Sequence, residues 1–312
     1  MDGPIAAGPF RKDMSKIFEA LQGIKSEVAE LLPTLVEAGG PEQPLPGPVI
    51  SMLDYAAVPS SEPAAGYAEP AIRRMPVVVS ANAPLLPFED PRWPAAEQYR
   101  ILRTKLNHDP KQPRVIVVSS AISGDGKSIT AINLAGVLSL KAESKVLLID
   151  ADFRRPGINF LLGLPKSPGL GEVITGECSF EDAVIQAEQY PNLNILANGE
   201  TKVNPSELLD SQRWHTLCQH LRGSYQYVII DSPPIASVAD CELLQMAADG
   251  TILVVRPEHT KRTIFFKAQK SIPADKFLGV VINCVDRWFL NKFDSYSYTN
   301  YRSAALGSGT KA

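Results

Sequence analysis

Arg114-Val115-Ile116-Val117-Val118-Ser119-Ser120-Ala121-Ile122-Ser123-Gly124-Asp125-Gly126-Lys127-Ser128 is the segment that decides the fold. Residues 115–118 are all β-branched, as a strand buried on both faces requires. A glycine-bearing turn follows. Residues 126–140 then place Ala131, Leu134, Ala135 and Leu138 on one helical face. Strand, glycine loop and helix in that order give a phosphate-binding P-loop, Gly-x-x-x-x-Gly-Lys-Ser/Thr, with Ala121 at the first glycine. Gly124 and Gly126 permit the turn that aims successive backbone N–H groups inward. Those donors and the positive helix N-terminus hold phosphates. Ser123, Gly124, Asp125, Gly126, Lys127, Ser128 and Ile129 therefore form the candidate nucleotide cradle. Lys127 is expected to bridge the β- and γ-phosphates, and Ser128 to ligate Mg²⁺.

Two later strands end in acids. Val146-Leu147-Leu148-Ile149 runs into Asp150, Ala151, Asp152, Phe153 and Arg154, and Val228-Ile229-Ile230 runs into Asp231. In open parallel sheets ligands sit beyond the carboxyl ends of the strands, so all three acids are expected at the phosphate loop. Three carboxylates there repel one another, and a bound Mg²⁺ resolves that conflict. Each Asp alone could be a helix cap. All three as caps beside a P-loop is the weaker reading.

Further strands are expected at 145–150, 193–196, 227–231, 251–255 and 278–282. One helix is expected to end about 248, and another to span 263–270. Strands alternating with helices predict an α/β fold, a mostly parallel sheet with helices on both faces. Residues 33–94 hold 13 of the 26 prolines, a composition that cannot offset its own ordering entropy. Residues 33–93 therefore read as a flexible linker, with 77–79 too short to change that. Before it, within 1–32, Ile17, Leu21, Ile24, Val28 and Leu31 form a helical stripe. It suits either packing on its own domain or docking and self-association. The core domain is expected at 94–285, and 286–312 as a polar tail rich in Tyr and Ser.

A net charge of −3 over 312 residues gives no basic field for nucleic acid or anionic lipid. Cys178, Cys218, Cys241 and Cys284 form no Cys-x-x-Cys pair, which fits a reducing cytoplasm. His215 and Cys218 lie three apart on an expected helix, where packing is the better reading than a metal pair. No apolar run reaches the 18 residues of a membrane span.

On these residues the chain resembles the bacterial tyrosine kinases (BY-kinases), P-loop autokinases of polysaccharide export. The resemblance rests on Gly126-Lys127-Ser128, on Ile149 to Pro156, on Ile230-Asp231-Ser232-Pro233-Pro234 and on Asn204-Pro205-Ser206-Glu207-Leu208-Leu209. It rests also on Glu97, Arg100 and Arg103 in a Glu-x-x-Arg-x-x-Arg helix. Residues 14–21 are similar to the exosortase-linked branch. The resemblance implies an ATP-dependent protein-tyrosine kinase using Mg²⁺, with Lys127, Asp150, Asp152 and Asp231 as catalytic residues. It implies that Asp150 takes the phenol proton, that Asp152 and Asp231 hold the metal with Ser128, and that Asn283 contacts the base. Cys284 stands where an Arg usually follows that Asn.

The same resemblance implies that Glu97, Arg100 and Arg103 close a homo-oligomeric ring. It further implies that Tyr296, Tyr298 and Tyr301 are phosphorylated in trans. A cytoplasmic protein recruited to the inner membrane face by a membrane-anchored chain-length or activator protein is then expected. The alternatives are a positioning ATPase of the plasmid-partition or division-site type, whose usual extra lysine is here Ile122, and a nucleotide-binding adaptor.

Overall fold

The run at 115–118 forms an interior strand of the sheet that it predicts. This computed structural model describes residues 72–79, 94–235 and 239–285. The strands are β1 (Arg73–Met75), β2 (Val115–Ser120), β3 (Val146–Asp150), β4 (Ile185–Ala187), β5 (Leu193–Leu196), β6 (Tyr227–Asp231), β7 (Gly250–Val255) and β8 (Phe277–Ile282). The helices are α1 (Pro94–Asn107), α2 (Lys127–Ser139), α3 (Ile158–Leu162), α4 (Leu170–Thr175), α5 (Phe180–Ala183), α6 (Pro205–Leu209), α7 (Gln212–Ser224), α8 (Asp240–Ala247) and α9 (Arg262–Lys270).

The strands form one sheet in the order β1-β4-β5-β3-β6-β2-β7-β8. Every pairing is parallel except that of β4 with β5. Alternate residues of each central strand enter different cores. Ile116, Val118, Val146 and Leu148 pack with Ala131, Leu134 and Leu138 of α2 and Ile158 of α3. Val115, Val117, Leu147 and Ile149 pack with Leu170 of α4 and with Trp214 and Leu221 of α7. Helices thus cover both faces. That is why the runs 115–118 and 146–149 are apolar throughout rather than at every second position.

The register brings the acids together. Asp150 lies opposite Asp231, and Asp231 lies opposite Val118. The two acidic strand ends are therefore neighbours, beside the strand that runs into the P-loop.

One stretch differs from its reading as flexible linker. Residues 72–79 carry β1, which pairs with β4 through Arg73↔Ile185 and Met75↔Ala187. Beyond it the Gln189 side chain clamps the Val77 backbone, accepting from Val77 N at 2.9 Å and donating to Val77 O at 3.1 Å. Met75, Val77 and Val79 pack on the α2 side of the core. This strand is held by backbone pairing to residues over a hundred positions away, so its own composition did not announce it. The helical stripe of residues 1–32 and the tyrosine-rich tail lie outside the described residues.

Candidate active site

The P-loop turns through two left-handed glycines, Gly124 at φ 91° and Gly126 at φ 97°. A side chain is strained at such angles. At Gly126 it also has no room, because a Cβ would collide with the Asn283 amide. Helix α2 starts at the next residue and has no side-chain cap among the described residues. Its first N–H groups therefore remain for an anion.

The loop is braced from two later strand ends. Asn283, just past β8, donates from Nδ2 to Asp125 O at 2.9 Å. The buried Asp125 carboxylate accepts from Thr260 Oγ1 at 2.6 Å and from Ile122 N at 3.2 Å, and meets His259 Nδ1 at 2.9 Å. The Asp125 side chain thus turns into the fold, and only its backbone can serve the cradle. His259 and Thr260 were not legible as site residues. Their place after the carboxyl end of β7 was the available signal.

Lys127 Nζ lies 2.8 Å from Asp152 Oδ2, 3.5 Å from Asp231 Oδ1 and 3.2 Å from Ser128 Oγ. Burial alone would lower its pKa, but Asp231 and Asp152 outweigh that and raise it above an ordinary lysine. Asp231 is fully buried. Burial pushes its carboxyl up to about 7, although Lys127 pulls it back. Its Oδ2 is buried without a hydrogen-bond partner among the described residues.

Asp150 is also fully buried, and burial raises its pKa against three backbone donors. Its Oδ2 accepts from Gly157 N at 2.9 Å and Ile158 N at 3.0 Å, capping α3, and its Oδ1 accepts from Asp152 N at 3.2 Å. The cap reading is thus realised at Asp150. A carboxylate has about four acceptor positions, so one remains. Asp152 Oδ1 accepts from Arg154 N and Arg155 N at 3.2 and 3.0 Å, which folds the turn after β3. Arg154 forks onto the buried Asp240 at 2.8 and 3.3 Å, and Ser206 donates to the same carboxylate at 2.6 Å. The Asn-Pro-Ser segment, the turn after β3 and the start of α8 are joined there.

The family model described as an AAA domain matches residues 113–263. The tyrosine-protein kinase YwqD of Bacillus subtilis is 35% identical over 218 residues, 69% of this chain and 90% of that protein. The chain belongs to the bacterial tyrosine-protein kinases. The putative tyrosine-protein kinase CapB of Staphylococcus aureus is 30% identical over 70% of this chain and 96% of its own. The solved chimerical protein CapA2B2 matches with a TM-score of 0.62 and 30% identity, over 70% of this chain and 95% of that one.

As in a tyrosine kinase of this P-loop type, the fold is that of a nucleotide-binding protein. Among the described residues no helix is long and apolar enough to cross a membrane. Glu97 pairs with Arg100 at 3.1 Å on the exposed side of α1, while Arg103 Nη1 donates to Val137 O of α2 at 3.1 Å. Cys218 is buried in the core, where desolvation pushes its thiol up to about 12, and packing accounts for it. Tyr296, Tyr298 and Tyr301 lie outside the described residues.

Proposed function

We propose that this kinase moves the γ-phosphoryl group of Mg·ATP onto Tyr296, Tyr298 and Tyr301 of a neighbouring copy. The observation that carries the proposal is the Lys127 ammonium set between Asp152 and Asp231 at the mouth of the P-loop. Among the described residues no three metal-binding side chains gather by themselves. Mg²⁺ is ordinarily held by one or two carboxylates with substrate phosphates and water. Ser128, Asp152 and the unpartnered Asp231 Oδ2 suit that role. Bound there, the metal neutralises charge that develops on the phosphates during transfer.

The protein's part is positioning. The α2 N-terminus and Lys127 seat the phosphates, and Asp150 accepts the phenol proton at its remaining lone pair. A carboxylate is a weak base for a phenol of pKa about 10. That suffices because the loose transition state needs little activation of the nucleophile.

The test is to incubate the full chain with Mg·ATP and map phosphates by mass spectrometry. Phosphate on Tyr296, Tyr298 and Tyr301 is expected. Hydrolysis without it would favour a positioning ATPase, and neither event an adaptor.

Glu97, Arg100 and Arg103 suit a ring contact, each able to exchange its partner within the chain for one in the next copy. Reversing the charge of Arg100 and Arg103 is expected to lower the oligomer mass in light scattering, and an unchanged mass removes α1 as the contact. Each phosphate adds about −1.5 to −2 charges, so a fully modified tail should loosen the assembly. The stripe at 17–31 is a candidate contact for a membrane-anchored activator, and polysaccharide export is the process that such an autokinase would regulate.

A further inference from the structure

Charge at the phosphate mouth is uneven. Asp150, Asp152 and Asp231 bring three buried carboxylates, and the P-loop residues 121–128 contain one cation, Lys127. That ammonium is held by Asp152 and Asp231. A triphosphate adds still more negative charge. The two arginines that follow Asp152 differ in how they are used. Arg154 is committed, since both of its contacts end on the buried Asp240.

Arg155 is not committed. Its backbone N–H is fixed on Asp152 Oδ1 at 3.0 Å, so the base of its side chain is anchored in the turn after β3. Its exposed guanidinium crosses to the P-loop, where Nη1 donates to Ser123 Oγ at 3.2 Å. Among the described residues it forms no ion pair with a carboxylate. A neutral hydroxyl is a weak partner for a full cation, and most of the planar donor fork is left unused. Ser123 directly precedes Gly124, the first left-handed turn of the cradle. Arg155 therefore stands between the anion loop and the turn that supplies Asp150 and Asp152.

We propose that Arg155 is a catalytic residue that leaves Ser123 and takes the γ-phosphoryl oxygens when ATP binds, supplying in the same chain the second cation of the transfer. The inference rests on the kinase reading above. In the step, the tyrosine oxygen bonds to the γ-phosphorus while the bond from that phosphorus to the bridging oxygen breaks. The electron pair stays on ADP and the phenol proton goes to Asp150. Arg155 makes and breaks no covalent bond. It offsets charge on the equatorial oxygens, where a loose transition state spreads it, with the forked geometry that suits phosphate.

Calorimetry with Mg²⁺ on the full chain tests this by comparing ADP with a non-hydrolysable ATP analogue. Arg155→Ala is expected to weaken the analogue about ten- to a hundredfold, the worth of a charge-assisted contact, and to leave ADP unchanged. Arg155→Lys should restore part of the difference. Arg155→Gln, of similar reach, gives the same comparison if alanine disturbs the turn. Equal weakening of both nucleotides, or of neither, overturns the proposal. The readout does not involve the tail. Unmodified tyrosines in the parent chain would thus defeat the kinase reading, while selective loss of the analogue would still establish the γ-phosphate contact.

Discussion

A Lys127→Met chain is expected to show no tyrosine phosphorylation above background, a loss of about a thousandfold or more. Methionine keeps an unbranched stem of similar length and removes only the charge and its donors. Two consequences follow from the geometry. On the proposed function the phosphates would lose their bridging cation, and Asp152 and Asp231 lose the ammonium that lies 2.8 and 3.5 Å away. Asp231 is already raised by burial, with Lys127 as its main opposing influence. Without that lysine its carboxyl rises further and takes up a proton. The variant should therefore lose more thermal stability at pH 8 than at pH 6. Time courses with labelled ATP and melting curves at the two pH values check both parts. Normal self-phosphorylation by the variant would bring down the assignment of this loop as the reaction centre.

Asp231→Asn is expected to separate stability from activity. In the folded chain the Asp231 carboxyl titrates at about 7, while an unfolded aspartate titrates at about 4. Between those values the native state binds more protons than the unfolded state. Its stability therefore falls as pH rises through that window and levels above it. Asparagine keeps the shape and cannot ionise. The metal-free, nucleotide-free variant should melt higher than the parent at pH 8, by several degrees for a difference on the order of a few kcal/mol. The gain should shrink toward pH 4. Phosphoryl transfer should fall at least about a hundredfold, because a buried anionic oxygen suited to Mg²⁺ is gone. A variant no more stable than the parent at pH 8 would mean that the ionised carboxylate is better compensated than its surroundings indicate.

The elements legible in the sequence were those encoded locally. The doubly buried runs at 115–118, 146–149 and 228–230 are apolar at every position because helices cover both faces. The P-loop was legible because strand, glycine turn and helix are consecutive. Helix α9 was expected at 263–270 between two strands, and its observed bounds, Arg262–Lys270, differ by one residue from the expected start. β1 was not, because three residues paired to a distant strand carry no pattern of their own.

The same division runs through the site. Sequence alone singled out the candidate side chains, because a lysine after the second glycine and acids at strand ends are signals of composition and order. Tertiary structure decided how they are used. It placed Asp150 opposite Asp231, turned Asp125 inward onto Thr260 and His259, set Asn283 against Gly126, and fixed Arg154 to Asp240 while leaving Arg155 at the mouth. Those contacts join residues more than eighty positions apart, apart from Arg155, whose partner Ser123 lies across a strand crossover. Their partners are chosen by strand order and register, which arise only when both faces of the sheet are buried together.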